Sequence, residues 1–167
     1  MPWPPACDRS TRGTVSFPRN IEEIYEAVKE LHDSPYQLPE RFDRDVEPLA
    51  DIRLGWRIEQ RQMDLIVAWA ELNNRQVVGP DGKTVPGFTV SCVSPSFARH
   101  LGITGGMTVV YILNPKDDTT YALDRLFWID SNQTMPEDRY DEEQIQRIAQ
   151  QLHFEGPPKW YLDHEFI

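Results

Sequence analysis

The order of hydrophobic periods along this 167-residue chain predicts an α+β fold: an antiparallel sheet of about four strands within residues 75–130, covered by N-terminal and C-terminal helices. Three observations point there. Apolar residues recur at helical spacing towards both ends, at Ile21, Ile24, Tyr25, Val28 and Leu31 and again at Ile145, Ile148, Ala149 and Leu152. Residues 107–113 and 121–129 form two runs rich in β-branched and aromatic side chains. Turn chemistry stands where hairpins need it, at Pro80-Asp81-Gly82-Lys83 and at Asn114-Pro115-Lys116-Asp117-Asp118.

Taken in order, residues 1–17 hold several prolines and no apolar period, and read as an extended or flexible arm. Residues 18–167 read as one globular domain ending in a tail over 156–167. The first helix is opened by Asn20 with Glu23 three residues on, and closes before Asp33-Ser34-Pro35. Pro35, Pro39 and Pro48 then interrupt regular structure, leaving an acidic loop. Residues 56–73 read as a second helix, with Ile58, Leu65, Ile66, Trp69 and Leu72 opposite charged positions; Ile52, Leu54, Trp56 and Ile58 also alternate, which competes for a strand at its front.

Past Asn73-Asn74, Val77-Val78 and Phe88-Thr89-Val90-Ser91-Cys92-Val93 flank an Asp-Gly turn as a hairpin. Ser94 caps a short helix with Pro95 in its first turn and Gly102 at its end. The runs 107–113 and 121–129 make a second hairpin. The last helix starts near Pro136, its first turns crowded with Glu137, Asp138, Asp141, Glu142 and Glu143, where negative charge suits the helix dipole. In the tail, Trp160, Tyr161, Leu162, Phe166 and Ile167 are too apolar to stay solvated, so it is expected to dock on the domain or on a partner.

The net charge of −10 is segregated: ten acids against five bases in residues 18–54, eight against three in 136–167, and +1 over 55–115. No basic cluster exists, which excludes direct nucleic-acid binding on electrostatic grounds. The longest apolar stretch, Leu65-Ile66-Val67-Ala68-Trp69-Ala70, is too short to span a bilayer, so no membrane association is expected and the cytoplasm is the expected compartment. Cys7 and Cys92 read as free thiols, Cys92 inside a strand.

No motif assigns a cofactor or a metal. Gly102-Ile103-Thr104-Gly105-Gly106 leaves a helix and enters a strand, the reverse of a phosphate-binding turn, and reads as a helix cap. His153, Glu155, Asp163, His164 and Glu165 match no ligand spacing, and Asp43-Arg44-Asp45-Val46-Glu47 lacks the glycine and the closing glutamate of a calcium loop. His100 near Ser94 and Ser96 is the best candidate for a titrating catalytic group, without a nucleophile elbow to support it.

In composition, not in motif, the chain resembles the acidic inhibitors and immunity proteins of bacteria and their phages. That resemblance implies a stoichiometric inhibitor or antitoxin-like partner of a basic protein, nucleic-acid-binding proteins being among the candidates. Asp43, Asp45, Glu47, Glu137, Asp138, Asp141 and Glu142 would supply the field, and Trp160 and Tyr161 the anchors. The alternatives are a small enzyme acting on a metabolite or nucleotide, and a structural subunit of a larger assembly.

Overall fold

A computed structural model describes residues 21–34, 36–42 and 51–164. The expected arm, most of the acidic loop and the last three residues lie outside them. The elements are α1 (Ile21–Asp33), a 3-10 turn (Glu40–Phe42), β1 (Ile52–Arg57), α2 (Gln60–Leu72), α3 (Pro86–His100), β2 (Gly106–Asn114), β3 (Asp117–Ser131), a second 3-10 turn (Pro136–Asp138), α4 (Glu142–Leu152) and β4 (Lys159–Asp163). The class is α+β with a four-stranded antiparallel sheet, as the periods predicted. The sheet closes on itself in the order β1-β3-β2-β4.

Closure depends on two strands outside the expected 75–130 window. β1 pairs with β3 on one side and β4 on the other, Trp56 facing Phe127 and Leu54 facing Trp160. The alternation Ile52, Leu54, Trp56 therefore belongs to a strand, and the helix behind it starts only at Gln60. Its boundary is set by a capping box in which Glu59 N–H donates to the Gln62 side-chain oxygen at 3.0 Å. The tail docks by becoming β4, whose seam with β2 runs through Val110 opposite Asp163 and Tyr111 opposite Leu162. His164 N–H extends that seam by donating to the Val109 carbonyl at 3.0 Å.

The second correction is α3. The Asp-Gly turn forms, with Val78 bridging Thr84, but the chain beyond it is helical and not the returning arm of a hairpin. Pro86 stands in the first turn, where its missing N–H costs nothing. Val90, Val93, Phe97 and Ala98 then fall on one buried face, a period hidden when the segment is cut at Val93. Burying that face outweighs the strand preference of Phe88-Thr89-Val90. Ser94 is consequently an interior residue of α3, not a cap, and Pro95 lies within the helix. Cys92 is an exposed free thiol on α3, not a strand residue.

The outer face of the sheet carries Ile52, Leu54, Trp56, Phe127, Ile129, Trp160 and Leu162 into one core with Leu31 of α1, Ile66 of α2, Phe97 of α3 and Ile145, Ile148 and Leu152 of α4. The inner face forms a smaller cluster of Val110, Ile112 and Leu126 with Trp128 and Tyr161. Two glycines let the backbones approach this closely. A Cβ on Gly55 would sit 2.0 Å from the Phe127 carbonyl oxygen, and one on Gly105 2.0 Å from that of Trp128. No helix among the described residues is long and apolar enough to cross a membrane.

Candidate functional site

Of the acidic residues expected to form a binding field, Asp43, Asp45 and Glu47 lie outside the described residues. The others gather around the start of α4. Glu137 and Asp138 form the 3-10 turn ahead of it, Asp141 is its N-cap and Glu142 its first residue. The local sequence builds this placement. Gln144 N–H donates to Asp141 Oδ1 at 2.8 Å, and Asp141 N–H donates to Gln144 Oε1 at 2.9 Å, which fixes the helix start and turns the first-turn carboxylates to solvent. Glu143 reaches Arg147 at 3.7 Å, whereas Glu137, Asp138 and Glu142 are exposed and form no ion pair among the described residues. The outer side of α1 carries two more such carboxylates, Glu22 and Glu26.

The two aromatic residues named as anchors stand elsewhere. Trp160 is 4% exposed, a core residue on β4 with the Arg139 guanidinium 5.4 Å from its ring centroid. Tyr161 is half-buried against Val110, Ile112 and Leu126, where burial, opposed by Arg57 and reinforced by Asp124, pushes its phenol above the usual range. Both rings serve the fold.

The aromatic groups beside the acid are ones the sequence reading passed over. A groove of about 410 Å³ runs along α4, floored by Ile145, Ala149 and Phe154 and bounded by Tyr36 and Glu142. Tyr36 is 52% exposed, while Phe154 is stacked on Trp56 at 4.9 Å and so is rigid. Next to the groove lies a cavity of about 190 Å³ that shares Tyr36 and Ile145 and is lined by Asp130, Arg139 and Tyr140. Tyr140 N–H donates to Asp130 at 2.9 Å, and burial raises the Asp130 carboxyl above the ordinary carboxylate range against that bond and the Arg139 charge. Comparison with known family models, curated proteins and solved structures finds no match to this chain.

The residues weighed for other chemistry are dispersed. His100 is exposed at the end of α3, its ring 5.6 Å from that of Trp69. The Ser94 hydroxyl is buried and accepts from Met107 N–H at 2.9 Å, a structural bond joining α3 to β2. Gly102 ends α3 with φ +76°, as a helix-terminating glycine should. His153 is the left-handed C-cap of α4, and no group of three His, Cys, Asp or Glu among the described residues is arranged to hold a metal ion.

Proposed function

We propose that this protein is an acidic binding module, a stoichiometric inhibitor or antitoxin-like partner that takes a cationic segment of a basic protein into the groove along α4. The observation that carries this reading is an apolar groove bounded by an exposed tyrosine and by Glu142, with Glu137 and Asp138 in the turn ahead of the same helix, three exposed carboxylates that form no ion pair among the described residues. The carboxylates supply long-range attraction and orient the partner. The groove accepts what they attract: an arginine stem covers Ile145 and Ala149, and its guanidinium lies against the Tyr36 ring, a contact that gains about 0.5–2 kcal/mol as water leaves. Asp141 contributes charge while its carboxylate caps the helix. Asp43, Asp45 and Glu47, outside the described residues, are proposed to add to the partner's attraction.

The test is kinetic. Using nona-arginine as probe, and then the basic protein recovered with the full chain from its host, association should slow as ionic strength rises towards 0.15 M, where the screening length falls to about 8 Å. Asp138→Lys with Glu142→Lys should slow association about tenfold or more, and Asp43→Lys with Asp45→Lys measures the loop's share. Tyr36→Ala should act mainly on dissociation. Binding indifferent to salt and to all of these substitutions would reduce the acid to a solvating surface and sink the reading.

A further inference from the structure

A second cavity has the opposite electrostatic character. It measures about 230 Å³ and lies between α1 and β4 at one mouth of the closed sheet. Val28 and Leu31 of α1, Ile112 of β2 and Leu162 of β4 give it apolar walls; Arg57, Lys159, His32 and the phenols of Tyr111 and Tyr161 are its titratable lining, with no carboxylate among them. In a chain of net charge −10 that lining is selective.

The neighbouring charges are already matched, with one exception. Arg57 Nε donates to Asp124 at 2.5 Å. A smaller cavity on the far side of Arg57 and Lys159 holds Glu59 and Glu155, but Arg61 draws both, at 3.7 Å and 3.3 Å. Lys159 is the cation left without a counter-ion among the described residues, and the Tyr161 hydroxyl beside it makes no hydrogen bond with them. A half-buried lysine with no counter-ion among the described residues, beside a phenol donor, favours an anion.

We infer that the cavity between α1 and β4 binds a small organic carboxylate with an apolar body, its headgroup on Lys159 and Tyr161 and its tail among Val28, Leu31 and Leu162. Size limits the class. A dry cavity of about 150 Å³ accepts benzene, so 230 Å³ suits a body of roughly six to eight carbons. A doubly charged or sugar-bearing anion would desolvate polar groups against apolar walls and is disfavoured. The site is separate from the groove along α4 and does not depend on it.

Titration calorimetry with octanoate, octan-1-ol and acetate separates headgroup from body. Octanoate should bind the full chain, octan-1-ol about tenfold more weakly, and acetate not detectably. Lys159→Met keeps the stem and removes the charge, and should lower octanoate affinity to that of the alcohol. Val28→Phe fills the cavity and should abolish binding of both at an unchanged melting temperature; if that variant fails to fold, the Lys159 comparison decides alone. Equal affinity for octanoate and octanol, octanoate binding unaffected by Lys159→Met, or no octanoate binding at all would each overturn the inference.

Discussion

Asn132 is fully buried just past the end of β3, and both ends of its side-chain amide are committed. Its Oδ1 accepts from Ile52 N–H at 3.0 Å, and its Nδ2 donates to the Phe42 carbonyl at 3.0 Å, so one side chain fastens β1 and the preceding turn to the sheet. Asn132→Ala removes both of these buried bonds and should cost about 2–4 kcal/mol in a denaturant titration. Asp130 has the reverse sign. Its folded-state pKa is raised, so the native state holds the proton more tightly than the unfolded chain does, and stability falls as pH rises from the ordinary carboxylate value through the raised one. Asp130→Asn keeps an oxygen to accept from Tyr140 N–H and removes the charge. It should raise stability at pH 7, an advantage that disappears as pH falls into the ordinary carboxylate range; a loss at pH 7 would show that the Arg139 attraction outweighs burial. Gly55→Ala drives a methyl into the Phe127 carbonyl, backbone that cannot yield, and should prevent the wild-type fold from forming, as near-ultraviolet circular dichroism would show.

Elements differ in how plainly the chain announces them. α4 starts at Glu142 and not near Pro136, because Pro136–Asp138 closes as a separate 3-10 turn and the Asp141–Gln144 capping box sets the helix start. As elements, α1, α4, β2 and β3 are legible. α3 is not, because its first half is made of strand formers and its helical face appears only when Phe97 and Ala98 join Val90 and Val93. β4 alternates correctly, Trp160 and Leu162 outward to the helices and Tyr161 and Asp163 inward, but five residues after two prolines are too few to separate a strand from a docked tail. The candidate site divides the same way. Its carboxylates are local and visible in sequence, whereas Tyr36 and Phe154 reach the groove from segments more than a hundred residues apart, which no spacing rule connects. Because β4 hydrogen-bonds to both β1 and β2, deleting residues 157–167 opens one edge of each, leaving both paired only with β3, and empties the core of Trp160 and Leu162. Hydrogen exchange should then show the β4-facing amides of β1 and β2 unprotected; retained protection there would mean that the ring is stable without its closing strand.

At the scale of the whole molecule, the net charge of −10 makes the compact state repel itself. The exposed ion pairs offset little of this, since contacts such as Arg147 with Glu143 contribute about 0.2–1 kcal/mol at most. Adding sodium chloride up to about 0.3 M should therefore raise the melting temperature, and a falling one would show that attractive pairs dominate. Ring closure also bears on how the chain is made. Gly55 pairs with Lys159, and Arg53 with Tyr161, so a strand near the front of the chain depends on partners translated about a hundred residues later. At ribosomal rates of about 5–20 residues per second, β1 emerges roughly 5–20 s before β4 exists. Until β3 is made both edges of β1 are unpaired, and from then until β4 exists its apolar row, Ile52, Leu54 and Trp56, keeps one open edge. The nascent protein is thus a natural client for whatever shields exposed strands at the ribosome exit, and its yield should depend on the speed of translation through residues 58–158 more than that of a protein whose strands pair with near neighbours.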